Sequence, residues 1–263
     1  VMLNRGGGTS GQGIAQGIHK RRGTVRAGGG VFGRALPQYI QQKELFIEDG
    51  VVSGGQGNTA SGDYASVSGG QSNTANGNYS AVTGGHFNTT SGRYASIAGG
   101  QTNTANDNYT VISGGQNNTA YGTHAVVSGG QSNTTDAPWS VVSGGQNNTA
   151  EGLYSVVSGG RGNTAVGEGS TVGGGDDNLA EGVASSVYGG QENIASGTGA
   201  VILAGNDNTA SGGFAVVTGG TAHSAVGNFS VVVGGLTNTA LGTSSVVLGG
   251  QSNTATNPIE VTP

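Results

Sequence analysis

The chain has no cysteine and only four prolines, and just 9% of its 263 residues are charged and 5% aromatic. Without cysteine, disulfide stapling and thiolate metal sites are excluded. So little proline and charge argues against a disordered chain of the usual composition. No stretch approaches the roughly 20 apolar residues of a spanning helix. The first residues, VMLNRGGGTSGQGIAQG, lack the apolar run of a signal peptide. A soluble chain with no membrane insertion is therefore expected. Phe and Met, common filling for a globular core, are also scarce. Glycine, at 56 residues, is abundant, with Val, Thr and Ala beside it. Thin strands joined by tight turns suit that mixture better than a thick core.

Charge is unevenly divided. Residues 1–43 hold seven basic side chains (Arg5, Lys20, Arg21, Arg22, Arg26, Arg34 and Lys43) and no acidic one. Residues 44–263 hold two basic and fourteen acidic side chains, a balance of −12. A basic arm on a mildly acidic body follows.

The body is a repeat. Gly-Gly pairs stand at 54–55, 69–70, 84–85 and onward to 249–250 at a fixed spacing of 15, with Ala204-Gly205 filling the one gap. Fourteen units result, the last degenerate and none carrying an insertion. A short period without slippage means that each unit stacks on the one before it. Counted from the first glycine, the pattern is G-G-Q-x-N-T-A-x-G-x-Y-S-x-V-S. Position 14 is Val or Ile in all thirteen complete units, beginning Val67, Val82, Ile97, Ile112, Val127 and Val142. Position 12, two residues earlier and so on the same strand face, is Ser, Ala or Thr. This pair suits the inside of a narrow coil, and these six β-branched residues are the expected coil core. Position 7, nearly always Ala, faces the same interior from a second strand. Position 5 is Asn except at His223, a column suited to satisfying turn backbone and stacking amides. Glycines at positions 1, 2 and 9 fit corners that need positive φ or close approach. One coil per unit, at roughly 4.8 Å, predicts a rod of about 65–70 Å.

Position 11 reads as the opposite face of the strand that carries position 14. It is aromatic at Tyr64, Tyr79, Tyr94, Tyr109, Trp139 and Tyr154, then small, then Phe214 and Phe229. With the valines of position 13 it forms an apolar stripe along the rod, which implies a partner surface. Self-association is the simplest solution, since an identical stripe meets itself in register. A homotrimer with these aromatics at its interface is expected.

Segments such as SVVSGGQNNTA (140–150) and SAVTGGHFNTT (80–90) resemble the head repeats of trimeric autotransporter adhesins, which read roughly S-V-A-I-G-x-x-S-x-A-x-G. The resemblance covers about 210 residues. It implies a left-handed parallel β-roll assembled as a trimer; similar repeats are also used in bacteriophage fibres and other virion proteins. The chain departs from the adhesin pattern in showing no heptad stalk, neck or C-terminal barrel, and in beginning with a basic arm.

The fold class expected is therefore all-β, a parallel β-solenoid of about fourteen 15-residue coils. Residues 1–38 read as a basic, glycine-rich extended arm, 39–53 as an adapter or capping strand, and 54–263 as the roll. Alone, the arm is expected to be disordered. Its partner is expected to be capsid or other virion protein, met through residues 1–43, with packaged nucleic acid as an alternative for His19-Lys20-Arg21-Arg22. Arg5, Lys20, Arg21, Arg22, Arg26 and Arg34 are the anchoring candidates. The function expected is that of a spike, fibre or capsid decoration on a virion surface, with a host-surface glycan or protein as a further partner. The alternative is the head of a bacterial surface adhesin.

Chemistry is sparse. Asp176-Asp177 lacks the nine-residue period of calcium-binding repeats. The histidines at 19, 86, 124 and 223 show no metal-ligand spacing. No GK[ST] follows the glycines, and the acids are dispersed. No enzyme and no cofactor is expected. The Thr column at position 6 (Thr59, Thr74, Thr89) raises ice binding, but a second regular polar column is missing, and a solvent-facing strand residue is the plainer reading.

Overall fold

The computed structural model describes residues 45–47, 50–259 and 261–262, with side chains from Gly50 onward. The six anchoring candidates, the arm 1–38 and part of the adapter lie outside the described residues.

Each 15-residue unit is one coil of a parallel β-solenoid. The chain enters through β1 (Leu45–Ile47) and β2 (Gly50–Val52), an antiparallel hairpin with Leu45 opposite Val52. The first unit then supplies β3 (Thr59–Ala60) and β4 (Ala65–Val67). β2 stands parallel on β4 with Val52 opposite Val67, so it occupies the place of position 14 in a preceding coil. Every later unit repeats this pair at positions 6–7 and 13–14, in register with its neighbours, as in Thr59↔Thr74 and Val67↔Val82. Two sheets result, of 16 and 14 strands. A third line of parallel bridges runs at position 3, from Gln56↔Gln71 to Leu236↔Gln251. The coil thus has three lines of contact, where alternation in the sequence indicated two; a single-residue bridge has no alternation to display.

The interior is narrow and dry. Val67, Val82, Ile97, Ile112, Val127 and Val142 are all buried, facing the alanines of position 7. Burying one such side chain contributes about 1.5–3 kcal/mol. One coil alone is therefore marginal, and stability accrues by stacking. The small residue at position 12 limits the girth. Its hydroxyl is not what selects it: Ser155, Ser170, Ser185, Ser230 and Ser245 bury theirs without a partner. Only in coils whose position 9 is not glycine do Thr110 and Ser140 donate to the position-9 carbonyls of Asp107 and Ala137, at 2.7 and 2.6 Å.

The Asn column locks the corner between the position-3 bridge and the position-6 strand. Asn148 is fully buried, and its Nδ2 donates to the Gly144 carbonyl of its own coil at 2.9 Å and to Gly160 of the next at 3.0 Å. Its Oδ1 accepts the Asn163 backbone N–H at 3.0 Å. One side chain therefore satisfies three backbone groups across two coils, in a place water cannot reach.

Two glycine columns are enforced by geometry. Gly145, at position 2, has φ +85°, and a Cβ there would lie 2.2 Å from the Gly160 carbonyl oxygen. At position 9 close approach alone decides, a Cβ on Gly152 falling 2.1 Å from Gly167 O. At position 1 close approach is absent, a Cβ on Gly144 meeting nothing within 4 Å; φ there is +158°, and Ala204 stands in that column once.

Candidate functional site

The chemistry this rod offers lies on one corner, ahead of each position-13 strand. Position 11 was expected on that strand; it lies instead in a turn, with φ near +58° at Tyr94 and Tyr154. The turn is closed by the position-12 N–H, as in Ala65 N–H donating to Gly62 O at 3.0 Å. The position-11 N–H bonds backward along the rod, Tyr79 N–H donating to Asp63 O at 2.7 Å. Left-handed backbone turns the side chain outward, so each ring leaves the rod surface at the same angle as the one before it.

Stacking follows from that repetition. From Tyr64 through Tyr79, Tyr94, Tyr109, His124 and Trp139 to Tyr154, seven rings form one ladder with centroids 4.6–5.3 Å apart and planes within 20° of parallel. The spacing matches the interstrand distance of about 4.8 Å, so the coil rise itself sets a favourable π contact. Arg93 adds a cation, its guanidinium carbon 4.8 Å from the Tyr94 ring centroid and 5.7 Å from that of Tyr79. The ladder stops where Gly169, Ala184 and Gly199 occupy the corner, and resumes as a separate pair, Phe214 on Phe229 at 5.5 Å. All eight aromatics expected at an interface lie in this column and are 39–70% exposed. The sequence reading missed His124, the fifth rung, because the column was followed by aromatic type and not by the 15-residue count.

With each inner ring stacked on both sides, its faces are occupied and its edge meets solvent. Such a surface suits lateral packing along a line better than capture of one small planar ligand.

A second apolar column appears at position 15, small from Ser68 to Gly173 and then Tyr188, Leu203, Val233 and Leu248, 41–59% exposed, with Thr218 between them. Counting by 15 from Ser68 would have found it. Charge is just as uneven: residues 208–259 contain no Asp, Glu, Lys or Arg. Among the described residues an ion pair joins Arg161 to Asp176 across adjacent coils at position 3. The Arg161 hydrogen bond holds the Asp176 carboxyl below its ordinary pKa.

Among the described residues no three His, Asp or Glu side chains come together as a metal site, and no helix is long and apolar enough to cross a membrane. Compared with known proteins, the chain matches no family model, and no curated protein matches it.

Proposed function

We propose that the chain is a virion structural protein, a trimeric β-roll spike, fibre or capsid decoration held to its particle by the basic segment 1–43. The observation that carries this reading is the one-sided ladder of seven rings along a straight repeat, whose edges remain exposed in a single chain. An apolar line of that length calls for a partner of equal length, and a second and third copy supply one in register. The basic segment gives the docking end. Its seven cations against a body of balance −12 suit attachment to something other than the rod's last coils, where residues 208–259 carry no charged side chain. A rod so anchored presents its distal coils outward, toward a glycan or protein on a host surface.

Two measurements test the reading. Sedimentation of the full chain is expected to give a trimer, and a monodisperse monomer overturns the stripe argument. Deleting residues 1–43 is expected to leave a folded trimer that no longer joins its particle; normal incorporation removes the docking role. The same rod would serve as the head of a bacterial surface adhesin, on the resemblance of its repeats. A signal peptide upstream, or a stalk and barrel downstream, in the same gene decides for that alternative.

A further inference from the structure

The Asn column is interrupted once, at the twelfth coil. His223 is 2% exposed and takes the asparagine's place. Its backbone N–H donates to Asn208 Oδ1 at 3.0 Å, and its Nδ1 accepts the Asn238 N–H at 3.0 Å, as an Asn Oδ1 would. That bond fixes the tautomer: Nδ1 is bare and the ring proton sits on Nε2. Nε2 points where an asparagine Nδ2 would. It faces the Gly235 carbonyl, whose dipole favours a proton there, but not in ordinary hydrogen-bond geometry.

The corner is looser here than elsewhere. Thr221 N–H reaches Gly235 O at 3.2 Å, against 2.9 Å for the equivalent Gln146 to Gly160. One coil earlier, Asn208 Nδ2 lies 3.4 Å from Ala204 O, where Asn148 is 2.9 Å from Gly144 O. The ring also fills the space beside Gly220, where a Cβ would fall 2.2 Å from Nε2.

We infer that His223 makes the rod acid-labile at this one level, so that acidification loosens the last three coils while the first eleven stay closed. A second ring proton lands on Nδ1, the atom that accepts the Asn238 N–H. Two donors then face each other inside a corner closed to water, and an imidazolium is buried with no counter-charge. No charged group nearby offsets it, and the Gly235 carbonyl does so only in part. The elements packed around it, Thr209–Ala210, Val216–Val217, Ser224–Ala225, Val231–Val232, Thr239–Ala240 and Val246–Val247, carry no titratable group. The nearest charged side chain in sequence is Asp207, exposed on the outer corner of the preceding coil. Elsewhere in the column the acceptor is an amide, which does not titrate in this range.

The direction of the pH effect follows. Burial, the dominant cause, lowers the His223 pKa in the folded rod. The stabilisation is therefore complete above the ordinary histidine value of about 6.5 and declines as pH falls from there through the folded-state pKa. A solenoid yields coil by coil from the weakened level to the nearer end.

Hydrogen exchange on the full chain, at about pH 7.5 and about pH 5 and corrected for intrinsic rates, tests this. Amides from 223 to 259 are expected to lose about tenfold or more in protection at the lower pH, the least that burying a charge without a partner costs. Those from 58 to 205 keep theirs. His223→Asn restores the repeat's own residue and is expected to fold and abolish the response; His86→Gln, on the surface, is expected to keep it. A response that survives His223→Asn, one that spreads evenly along the rod, or none at all overturns the inference.

Discussion

Coils one to seven carry a ring at every outer corner from Tyr64 to Tyr154 and a small residue at position 15. Coils eight to fourteen carry small corners at four places, a lone Phe pair and Ile259, and bulky apolar residues at position 15 in four of them (Tyr188, Leu203, Val233 and Leu248). Beneath this exchange the interior hardly changes: the Asn, Ala and Val/Ile columns run through both halves, broken at His223, at the threonines 90 and 135, and at Thr262 in the last coil. Interior and surface are thus specified separately by different positions of one unit. Position 11 shows how. Its backbone is left-handed whether the residue is Tyr154 at φ +58° or Gly169 at φ +65°. A side chain in that conformation costs about 1–2 kcal/mol. Gly169 and Gly199 avoid the cost. Each ring of the ladder offsets it against its neighbours, at about 0.5–1.5 kcal/mol per stacked pair.

If the interior is common to both halves, breaking it should hurt equally in each. Asn148→Ala in the first half and Asn178→Ala in the second each strip two carbonyls and one N–H of their buried partner. Each is expected to cost about 3–5 kcal/mol of local stability. Exchange protection of the flanking coils reads this better than a single melting curve, since a stack of coils need not unfold in one step. A loss confined to one half would mean that the surface columns contribute to the interior's stability.

The surface should divide the halves instead. Tyr109→Ser removes a rung stacked on Tyr94 and His124 and is expected to cost about 1 kcal/mol. Ala184→Tyr adds a ring where the neighbouring corners are Gly169 and Gly199, with nothing to stack on, and is expected to gain no stability. The same denaturant titration checks both. A stabilising Ala184→Tyr would show that an isolated ring packs on the rod itself, and that the stack is incidental.

Much of this molecule was legible before any coordinates, and the reason is its period. Recurrence every fifteen residues fixed the coil, and parity placed Val67 and its successors inside with the residue two before. The Asn column's role in satisfying turn backbone also follows from residue chemistry. What escaped is where parity stops. Tyr is an unusual residue for left-handed backbone, so nothing in G-x-Y-S announced that position 11 had left the strand. The bridge at position 3 is one residue long and shows no alternation. His124 belongs to the ladder by position and not by type, and His223 read as a gap in a column until its Nδ1 was seen to accept what an asparagine would.

The smallest effect is expected where the halves differ in charge. Position 3 is a column of exposed glutamines in the early coils, broken by His86, and Gln131 and Gln146 reach each other weakly at 3.5 Å. One coil on, Arg161 and Asp176 replace them with an ion pair. The pair looks like the stronger link, but the Arg161 side chain is 63% exposed and that of Asp176 30%. Solvent screens the attraction, and holding two long chains in one geometry costs entropy. Asp176 is held below its ordinary pKa by the Arg161 hydrogen bond, so any contribution exists above the ordinary carboxylate range and fades as pH falls through the lowered value. Arg161→Gln restores the residue of the earlier coils and keeps the parallel bridge, which is backbone. It is expected to leave the melting temperature unchanged within error at neutral pH, at low and at high salt alike. A salt-sensitive drop of several degrees would instead make position 3 a third structural column, with charge taking over in the second half the part that the amide plays in the first.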